Sequence, residues 1–587
     1  MQKNMQMNMQ QNMKPMPLKR GVQLAAVLSA ATALLACSSL ETPKPPVLKA
    51  ATGATLSACA ALVGQLNLPN TRLESAAPVA AGALTLGDRA VPAHCLVKGK
   101  MHERKGSDGR DYAIGFEMRL PEAWNGRFYY QGNGGLDGAV VPALGALGGG
   151  PLTGALMQGF AVISSDAGHT GPQTPFFGLE PQARLDYGYQ AVVKLTPMAK
   201  QLIQGAYGKG PDRSYIGGCS NGGRHAMVAA ARLGDAYDGY LVGAPGYRLP
   251  YAALAQIWGA QQWLPLATPG ATIKNPLNPN GTLVDLASAF TPAERQTVAK
   301  AVLAQCDALD GARDGMVQAT QACQARFNVQ QDVATCTGER NGACLTPGQK
   351  NVLAAVFSGA QTPQGQKFYA SFPYDPGVAG ANWGTWKFTD SLIRDPLALG
   401  TLFSVPPGPV DPLKDNIAQR LALFSATNDT YRESGWSLMV PPGEDKPVNL
   451  APLRQRGAKM VLYHGVADAI FSAEDTRQWV DRVGTTTGQP ATDFARYFPV
   501  PGMNHCSAGL STDQFDLLTP LVQWVEQGVA PQAVLAQARG AGNPGGVNSE
   551  LPADWSAQRT RPLCAYPTVA TYNGSGSLED ARNFSCN

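Results

Sequence analysis

Apolar runs alternate with amphipathic stretches in two separate parts of the chain. Between residues 110 and 246, runs such as GRFYYQ and GFAVISS are followed by polar or glycine-rich loops and by helical patterns such as NGGRHAMVAAARL. The alternation returns after residue 449 in AKMVLYHG, TRQWVDRVG, ARYFPVPG and FDLLTPLVQWVEQG. Buried strands that alternate with helices are typical of a mostly parallel sheet covered by helices on both faces. The pattern therefore predicts an α/β fold.

The alternation is interrupted between residues 247 and 448, which are rich in Pro, Trp and Cys and show no regular period. The simplest interpretation is one α/β core whose chain is broken by a large insertion. We predict a first part of the core over residues 59–246, the insertion over 247–448 and a second part of the core over 449–587.

The beginning of the chain has the features of an export signal. Basic residues precede the apolar run GVQLAAVLSAATALLAC at residues 21–37, which is too short to span a bilayer and fits a signal-peptide core. Its end resembles a bacterial lipobox, so we predict a lipoprotein-type signal peptide over residues 1–37 with lipidation of Cys37; an ordinary signal peptide cleaved near Ala36 is the alternative. A Pro-rich tether follows at residues 38–58. The protein is expected to be exported, as a periplasmic, outer-membrane-anchored or secreted protein.

Composition narrows the class of partner. The 587 residues include 44% hydrophobic and 15% charged residues with a formal net charge of +4, and the basic residues are not clustered. Proteins that bind nucleic acid usually show a basic patch or stripe, so no nucleic-acid partner is expected. The expected partner is a small molecule, and the expected membrane contact is limited to the N-terminal lipid.

Eleven cysteines suit an exported protein, in which disulfides persist. Without Cys37 an even number remains, enough for complete pairing. Proximity along the chain suggests four pairs, namely Cys59–Cys95, Cys306–Cys323, Cys336–Cys344 and Cys564–Cys586. Cys219 and Cys506 are left over and lie far apart in the sequence.

Ser220 is a candidate nucleophile. It lies in GCSNG, which matches the G-x-S-x-G pattern between a strand and a helix. Small flanking residues allow the strained turn that exposes the hydroxyl, and the N-terminus of the following helix favours developing negative charge. An ordinary glycine-rich turn is the alternative.

A nucleophilic serine needs a histidine base and an orienting carboxylate, in the order Ser, acid, His for this type of fold. Three of the six histidines follow Ser220, and two of them, His464 and His505, lie beyond the helical pattern NGGRHAMVAAARL. His505 lies in the loop VPGMNHCSAG after a strand, which suits a base, whereas His464 lies inside the strand MVLYHG and is interpreted as a core residue. Asp468 follows that strand and is the candidate acid.

Two further groups depend on this triad. If Ser220 and His505 are within hydrogen-bond distance, their neighbours Cys219 and Cys506 can approach the Cα separation of about 4.4–6.8 Å that a disulfide requires; two unpaired buried thiols are the alternative. An oxyanion hole needs backbone N–H groups. We expect them from the residue after the nucleophile and from the glycine-rich loop QGNGGLDG, that is, from Asn221 and Gly135.

The insertion contains a candidate calcium loop. In CDALDGARDGMV, three carboxylates are separated by glycines that permit tight turns. Calcium prefers carboxylate and carbonyl oxygens. The expected ligands are the side chains of Asp307, Asp310 and Asp314 and the carbonyls of Ala312 and Met316. A solvated acidic turn is the alternative, and the metal would be structural. No organic cofactor is expected.

These features together resemble the tannase and feruloyl esterase family, and particularly its hydrolases of mono(2-hydroxyethyl) terephthalate. The resemblance rests on the pairs Cys219-Ser220 and His505-Cys506 with Asp468, and on the segments WNGRF, GLEPQARLDYGY, GAPGY, CDALDGARDG, VLYHGVADA and RTRPLC. It implies an α/β-hydrolase core, an insertion that serves as a lid and holds calcium, and hydrolysis of esters of aromatic acids. It also supports the oxyanion donors and the Cys219–Cys506 bridge.

The substrate is less well defined by the resemblance. The terephthalate hydrolases have Glu where this chain has Asn221, and an Arg of their lid holds the free carboxylate of the substrate. Arg394 is the one Arg in the corresponding stretch WKFTDSLIRDPLALGTLFSVPPGP. Candidate pocket aromatics of the insertion are Trp258, Trp383, Trp386 and Phe403.

The sequence thus predicts a serine carboxylic-ester hydrolase that acts on feruloyl, galloyl or terephthaloyl esters through an acyl-enzyme. Ser220 would attack the ester, His505 would transfer the proton and Asp468 would orient the imidazole. One alternative is a hydrolase specific for mono(2-hydroxyethyl) terephthalate. A catalytically silent binding lipoprotein is a more distant one.

Overall fold

A nine-stranded mixed sheet forms the centre of the computed structural model, which describes residues 48, 50–145, 153–444, 450–487 and 490–587. The predicted signal peptide and its Cys37 lie outside the described residues. The strands, labelled in chain order, are β1 Thr71–Val79, β2 His94–Lys105, β3 Asp111–Pro121, β4 Arg127–Gln131, β5 Ala161–Ser165, β6 Arg213–Cys219, β7 Gly239–Gly243, β8 Lys459–Gly465 and β9 Ala495–Val500.

The strand order in the sheet is β9-β8-β7-β6-β4-β5-β3-β2-β1. Neighbours from β9 to β5 pair in parallel, whereas β3, β2 and β1 extend the sheet in antiparallel fashion. In the parallel part, the carboxyl ends of all strands lie at the same edge of the sheet. Side chains that follow β6, β8 and β9 are therefore brought together even though they are distant in the sequence.

Alternate residues of the parallel strands enter two hydrophobic cores, one on each face of the sheet. Tyr130 of β4 and Ile216 of β6 face one core, and their neighbours Tyr129 and Tyr215 face the other. This two-residue period is the geometry of an extended strand. Burial on both faces explains why these strands read as continuous apolar runs.

Helices cover both faces. The longer ones, labelled in chain order, are α1 Ala191–Tyr207, α2 Asn221–Arg232, α3 Leu249–Trp263, α4 Pro292–Cys306, α5 Pro347–Ser358, α6 Ser391–Ala398, α7 Ile417–Phe424, α8 Ala473–Thr487 and α9 Leu518–Gln527. Helices α1, α2 and α8 pack on one face of the sheet and α9 on the other. The α/β fold expected from the alternating pattern is confirmed. In the described part of the chain, no helix combines the length and apolarity needed to cross a bilayer.

The insertion between β7 and β8 is mainly helical. Besides α3 to α7 it contains the hairpin Thr272–Asn275 and Asn278–Val284 and the short helices Thr320–Arg326, Val329–Asp332, Ala381–Gly384 and Gly435–Met439. π-Helical turns at Thr385–Asp390 and Leu399–Phe403 flank α6. The contacts group residues from Pro46 to Asn587 into one compact unit, so the insertion packs on the core. Its sequence shows no regular period because its helices are short and are separated by loops.

Other short elements complete the fold. The short helices of the core are Leu62–Gln65, Pro181–Leu185 and Ala451–Gln455, and a π-helical turn at Asp186–Gln190 leads into α1. The short strands form small sheets at Ala54–Thr55 with Ala123–Trp124, Thr85–Leu86 with Arg89–Ala90, Gln514–Phe515 with Ala533–Gln537 and Thr560–Cys564, and Ala570–Tyr572 with Phe584–Cys586.

The predicted tether at residues 38–58 is attached to the core over its last residues. Besides the Ala54–Thr55 strand, the backbone N–H of Thr52 donates to the Asp212 carboxylate over 2.8 Å, and Ser57 Oγ donates to the Ala206 carbonyl over 3.0 Å. The tether residues before 48 lie outside the described residues.

A buried ion pair fastens the last helix to the sheet. Arg127, at the start of β4, donates to both carboxylate oxygens of Glu526 in α9, over 2.7 and 2.6 Å, and the Tyr215 hydroxyl donates to one of them over 2.8 Å. Burial by itself raises the pKa of Glu526, but the hydrogen bonds and the charge of Arg127 outweigh it, so the pKa is lowered. The charged carboxylate therefore stabilises the fold.

We predict that Glu526→Gln lowers the free energy of unfolding by about 2 kcal/mol at neutral pH, because it leaves Arg127 largely buried without its partner. The difference from the wild type should shrink as the pH falls through the lowered pKa, where the wild-type carboxylate also becomes neutral. Urea unfolding of the wild type and the variant at several pH values measures this difference in free energy. The matched control is Glu103→Gln, which removes the exposed partner of Arg72 and should change stability little. Equal effects of the two variants would contradict the prediction.

Candidate active site

Ser220 occupies a sharp turn between β6 and α2. Its backbone has φ +64° and ψ −124°, a conformation that side chains of L residues rarely adopt. The turn is crowded by the backbone of the loop after β4. A Cβ atom at Gly218 would lie 2.3 Å from the Gly132 carbonyl oxygen, and one at Gly222 would lie 2.2 Å from it. Both positions therefore require glycine, which is the physical content of the G-x-S-x-G pattern.

The structure brings Ser220, His505 and Asp468 together. His505 Nε2 lies 2.8 Å from Ser220 Oγ, and His505 Nδ1 lies 2.7 Å from Asp468 Oδ2. The loop after β9 carries the histidine and the end of β8 carries the aspartate. Both distances are within hydrogen-bond range. The arrangement can withdraw a proton from the serine hydroxyl when the imidazole is neutral.

Asp468 is buried and kept charged by its surroundings. Its Oδ1 accepts from the backbone N–H groups of Ile470 and Phe471, over 2.9 and 3.0 Å. Burial by itself raises the pKa of the Asp468 carboxyl, but the charge of His505 and hydrogen bonds from His464 and His505 outweigh it and hold the pKa well below its usual range. The carboxylate can therefore orient the imidazole without taking its proton.

His464 does more than fill the core. It is fully buried, and its Nε2 lies 3.2 Å from Asp468 Oδ2 and 3.0 Å from the Phe471 carbonyl oxygen. Both neighbours are acceptors, so Nε2 carries the proton and donates. Its Nδ1 contacts the Thr476 hydroxyl over 2.8 Å. His464 thus positions the aspartate. This role is hard to predict from the sequence, because the contact forms where the chain turns after β8.

Cys219 and Cys506 form a disulfide beside Ser220 and His505, with Cα atoms 6.0 Å apart. The four pairs suggested by proximity, Cys59–Cys95, Cys306–Cys323, Cys336–Cys344 and Cys564–Cys586, are also present. The Cys219–Cys506 bridge spans 287 residues. It links the serine turn directly to the histidine loop.

Gly135 and Asn221 both border the space in front of Ser220. Within the described residues, the backbone N–H of neither residue donates to an acceptor, since Gly135 lies in a turn with φ +63° and Asn221 begins α2. The Tyr187 hydroxyl lies 3.2 Å from the Gly135 carbonyl oxygen and 3.2 Å from Asn221 Oδ1. Tyr187 therefore ties together the two backbone segments that present free N–H groups.

The side chain of Asn221 points into a buried polar network. Its Oδ1 accepts from Arg224 Nε over 2.6 Å, and its Nδ2 donates to Asp137 and lies 3.1 Å from His225 Nε2. Residues 187, 224 and 225 are buried in the same cluster. This network cannot be predicted from the sequence alone, because its members come from three separate segments of the chain.

A cavity of about 330 Å³ opens beside Ser220 and His505. Most of its lining is apolar and comes from both the core and the insertion: Leu136, Pro175, Leu249, Ala253, Leu277, Trp386, Leu397, Ala398, Phe403, Ile470 and Phe471. The ring of Trp386 stands edge-on to the imidazole of His505, with ring centroids 5.5 Å apart. Such a cavity suits a ligand with a flat apolar part.

Three of the candidate substrate residues line the cavity and two do not. Trp386, Phe403 and Arg394 are part of the lining. The Arg394 side chain is 66% exposed, and its Nε lies 3.1 Å from Asp390 Oδ1. Trp258 is buried and is not part of the lining, so its contact with a substrate stays a prediction. Trp383 is likewise a core residue, packed edge-on against Phe388.

The candidate calcium loop lies beside the C-terminal segment. Asp310 and Asp314 are buried, and Asp314 Oδ2 accepts from the fully buried guanidinium of Arg561. Burial and the charges of Asp314 and Asp307 raise the pKa of Asp310 to about 7. The three aspartates thus share one short loop next to the Cys306–Cys323 bridge.

The donor set of this loop fits a hard cation, although its carboxylates are held by other partners. In the described residues no donor reaches the carbonyl oxygens of Ala312 and Met316, which are buried. The carboxylates accept from backbone N–H groups, such as those of residues 312, 315 and 316. Within the described ranges no three acidic, His or Cys side chains converge as a metal site requires. Calcium binding stays a prediction.

Comparison with known proteins identifies relatives over almost the whole chain. Residues 95–587 match the family described as tannase and feruloyl esterase. Over 581 residues the chain is 36% identical to the mono(2-hydroxyethyl) terephthalate hydrolase of Piscinibacter sakaiensis, with 91% of this chain and 92% of that protein covered. An uncharacterized esterase of Xanthomonas campestris is 31% identical, with 91% and 92% covered.

The solved structures show the same fold. The crystal structure of feruloyl esterase B from Aspergillus oryzae matches with a TM-score of 0.69 and 25% identity, and covers 90% of this chain and 100% of that chain. The sheet, the flanking helices and the insertion between β7 and β8 therefore form an α/β-hydrolase fold with a lid domain.

We predict that removing the central bridge slows the reaction of Ser220 with a fluorophosphonate, a probe for activated serines. In Cys219→Ala/Cys506→Ala the histidine loop is free to move away from Ser220, and labelling should slow by about 100-fold. Mass spectrometry of the labelled peptide measures the rate, and Ser220→Ala identifies the site. The matched control, Cys336→Ala/Cys344→Ala, removes a bridge of the insertion and should label at the wild-type rate. Equal rates in both double variants would contradict the role of the bridge.

Proposed function

The chain belongs to the tannase and feruloyl esterase family and is a carboxylic ester hydrolase, and we propose that it cleaves esters of aromatic acids through an acyl-enzyme formed on Ser220. The observation that carries this proposal is the chain of hydrogen bonds from Ser220 Oγ through His505 to Asp468 beside a largely apolar cavity. The geometry supports the following steps.

In acylation, His505 Nε2 takes the proton of the Ser220 hydroxyl while Oγ attacks the ester carbonyl carbon. The imidazolium that forms donates through Nδ1 to Asp468, whose low pKa keeps it an anion. Collapse of the tetrahedral intermediate transfers the same proton to the leaving alkoxide and releases the alcohol. The aromatic acyl group stays on Ser220.

The negative oxygen of the intermediate needs donors that are already in place. The free backbone N–H groups of Gly135 and Asn221 meet this need, and the N-terminus of α2 adds a favourable dipole. The hydrogen bonds of the Tyr187 hydroxyl support both donors. In deacylation, His505 takes a proton from water as the water oxygen attacks the acyl carbonyl. Collapse of the second tetrahedral intermediate breaks the bond to Ser220 Oγ, which receives this proton from His505, and the acid is released.

The cavity supports an aromatic acyl group as the substrate class. Trp386 and Phe403 offer ring faces or edges, and aliphatic side chains fill the remaining wall. Feruloyl and galloyl esters are the first candidates. Mono(2-hydroxyethyl) terephthalate is a second one, favoured by Arg394, whose guanidinium lines the cavity and is largely exposed. A substrate carboxylate could pair with it there.

We also propose that the protein is exported. The five disulfides support an oxidising compartment, because thiols are kept reduced in the cytosol. A lipoprotein-type signal peptide at residues 1–37 with lipidation of Cys37 remains our prediction from the sequence.

We further propose a structural calcium ion in the loop from Asp307 to Met316. Support comes from the carbonyl oxygens of Ala312 and Met316, which accept from no donor in the described residues, and from the presence of Asp307, Asp310 and Asp314 in the same short loop. Calcium would supply positive charge between these oxygens and fix the loop against the C-terminal segment. It has no part in the hydrolytic steps.

The proposed function is tested by kcat/KM on methyl ferulate, methyl gallate and mono(2-hydroxyethyl) terephthalate with the purified, oxidised protein. We expect turnover of at least one of these esters, and Ser220→Ala should lower it by about 10⁴-fold or more. A burst of alcohol release before steady state would report the acyl-enzyme. Turnover that persists in Ser220→Ala, or none on any of the three esters, would contradict the proposal.

Calcium removal should destabilise the protein. Dialysis against a calcium chelator is expected to lower Tm, because an ion present at about 100 times its Kd stabilises the folded state by about 2.7 kcal/mol. Added calcium should restore Tm, whereas magnesium should not, since it demands a smaller octahedral site. Asp310→Asn should abolish the response. An unchanged Tm after chelation would argue against the ion.

A further inference from the structure

One carboxyl group of the cavity has no role in the steps above. Asp395 lies in α6, lines the cavity and is only 7% exposed. Its Oδ2 is buried and has no hydrogen-bond partner among the described residues. Helix α6 lies between the two π-helical turns that carry Trp386 and Phe403. Asp395 therefore shares one chain segment with both aromatic residues of the cavity.

The charged groups near Asp395 do not satisfy it. Arg394 turns its Nε to Asp390, and its side chain is largely exposed. The Lys387 amine lies 3.6 Å from the centroid of the Phe372 ring instead. Burial raises the pKa of Asp395 well above its usual range; the charge of Asp390 adds to the rise, whereas Lys387 and Arg394 oppose it.

A buried carboxyl group without a hydrogen-bond partner lowers the stability of the folded protein. A leucine at the same position would fill the apolar wall without this cost. Buried polar groups normally find partners, so those that have none within the protein are candidates for contact with a ligand. The missing partner of Asp395 must fit beside Trp386 and Phe403. A polar substituent on the ring of an aromatic substrate meets this condition.

We propose that Asp395 recognises a phenolic hydroxyl on the acyl ring of the substrate. The inference rests on the proposed function and narrows it to esters of hydroxylated aromatic acids. The hydroxyl donates to the carboxylate, or exchanges hydrogen bonds with the protonated acid, so it is complementary to Asp395 in either protonation state. The contact is a specificity contact, and Asp395 takes no part in proton transfer at the ester.

A ring carboxylate is a poorer partner than a hydroxyl. Two carboxyl groups at hydrogen-bond distance must share one proton, because both cannot be charged so close together. Asp395 would then have to retain its proton whenever a terephthalate monoester binds. Arg394 lies beside it and would relieve only part of this repulsion, since it is largely exposed and paired with Asp390.

The test uses substrates that differ only in the ring hydroxyl: methyl cinnamate and its 3-hydroxy and 4-hydroxy derivatives. For the wild type we expect kcat/KM to be about 10- to 100-fold higher for at least one hydroxylated ester, because the unhydroxylated one leaves Asp395 unpaired. Asp395→Leu should reduce this ratio to near one. Glu103→Gln, an exposed change outside the cavity lining, should leave the ratio unchanged.

Asp395→Asn provides a readout if the leucine variant does not fold. The amide keeps the size of the side chain and can still exchange hydrogen bonds with a hydroxyl, but it carries no charge. The hydroxyl ratio should therefore be largely retained, while kcat/KM on mono(2-hydroxyethyl) terephthalate should rise. A wild type with no hydroxyl preference would overturn the inference, as would a preference that survives in Asp395→Leu or an unchanged kcat/KM of Asp395→Asn on mono(2-hydroxyethyl) terephthalate. A ratio that changes only between methyl and 2-hydroxyethyl esters of one acid would place Asp395 at the alcohol side and also overturn it.

Failure of the proposed function is distinguishable. Absence of Ser220-dependent turnover on every ester would remove both proposals together. Ser220-dependent turnover at equal rates with and without the ring hydroxyl would leave the esterase proposal intact and remove only the role of Asp395.

Discussion

The Cys219–Cys506 disulfide is the constraint on which the site depends. Ser220 and His505, the proposed nucleophile and base, come from parts of the chain that are separated by the whole insertion, and the parallel strands β6 to β9 bring them to one edge of the sheet. Strand pairing alone leaves the loops after β6 and β9 free to shift. The covalent link closes a loop of 287 residues, worth roughly 5 kcal/mol in the chain-entropy model. It also fixes the distance between the serine turn and the histidine loop, which hydrogen bonding alone would leave adjustable.

The features that could be predicted from the sequence are those encoded locally. The glycines around Ser220 are required by close backbone contacts, and His505 and Asp468 stand at strand ends, so short patterns located all three. The even number of cysteines and their proximity along the chain predicted four of the disulfides. The expected closeness of Ser220 and His505 suggested the fifth. Residues whose roles depend on packing between distant segments were not predicted. His464 was interpreted only as a core residue of β8, and Tyr187 carried no expected role. For Trp258, the sequence does not distinguish a core position from a cavity position. The short helices of the insertion have too few turns to show a clear period.

Polar groups around the reaction centre form two sets with different surroundings. One set consists of Asp468, His464 and the Asn221 network, where each buried group has partners within the protein and is held in a defined geometry. Asp395 is different, since it faces the cavity without a partner. A fully satisfied group contributes to positioning, whereas an unsatisfied one is available to a ligand. The distinction separates the residues that we propose for hydrolysis from the one that we propose for substrate recognition.

The core and the insertion contribute different parts of the site, and this has a consequence for how substrate preference can change between related enzymes. The triad and the free N–H groups belong to the core, while Trp386, Arg394, Asp395 and Phe403 all lie on one continuous stretch from Thr385 to Phe403. Substitutions in this stretch can therefore change the cavity wall without changing Ser220, His505 or Asp468. Transplanting the single segment between relatives is therefore the smallest exchange that would carry a substrate preference from one enzyme to another.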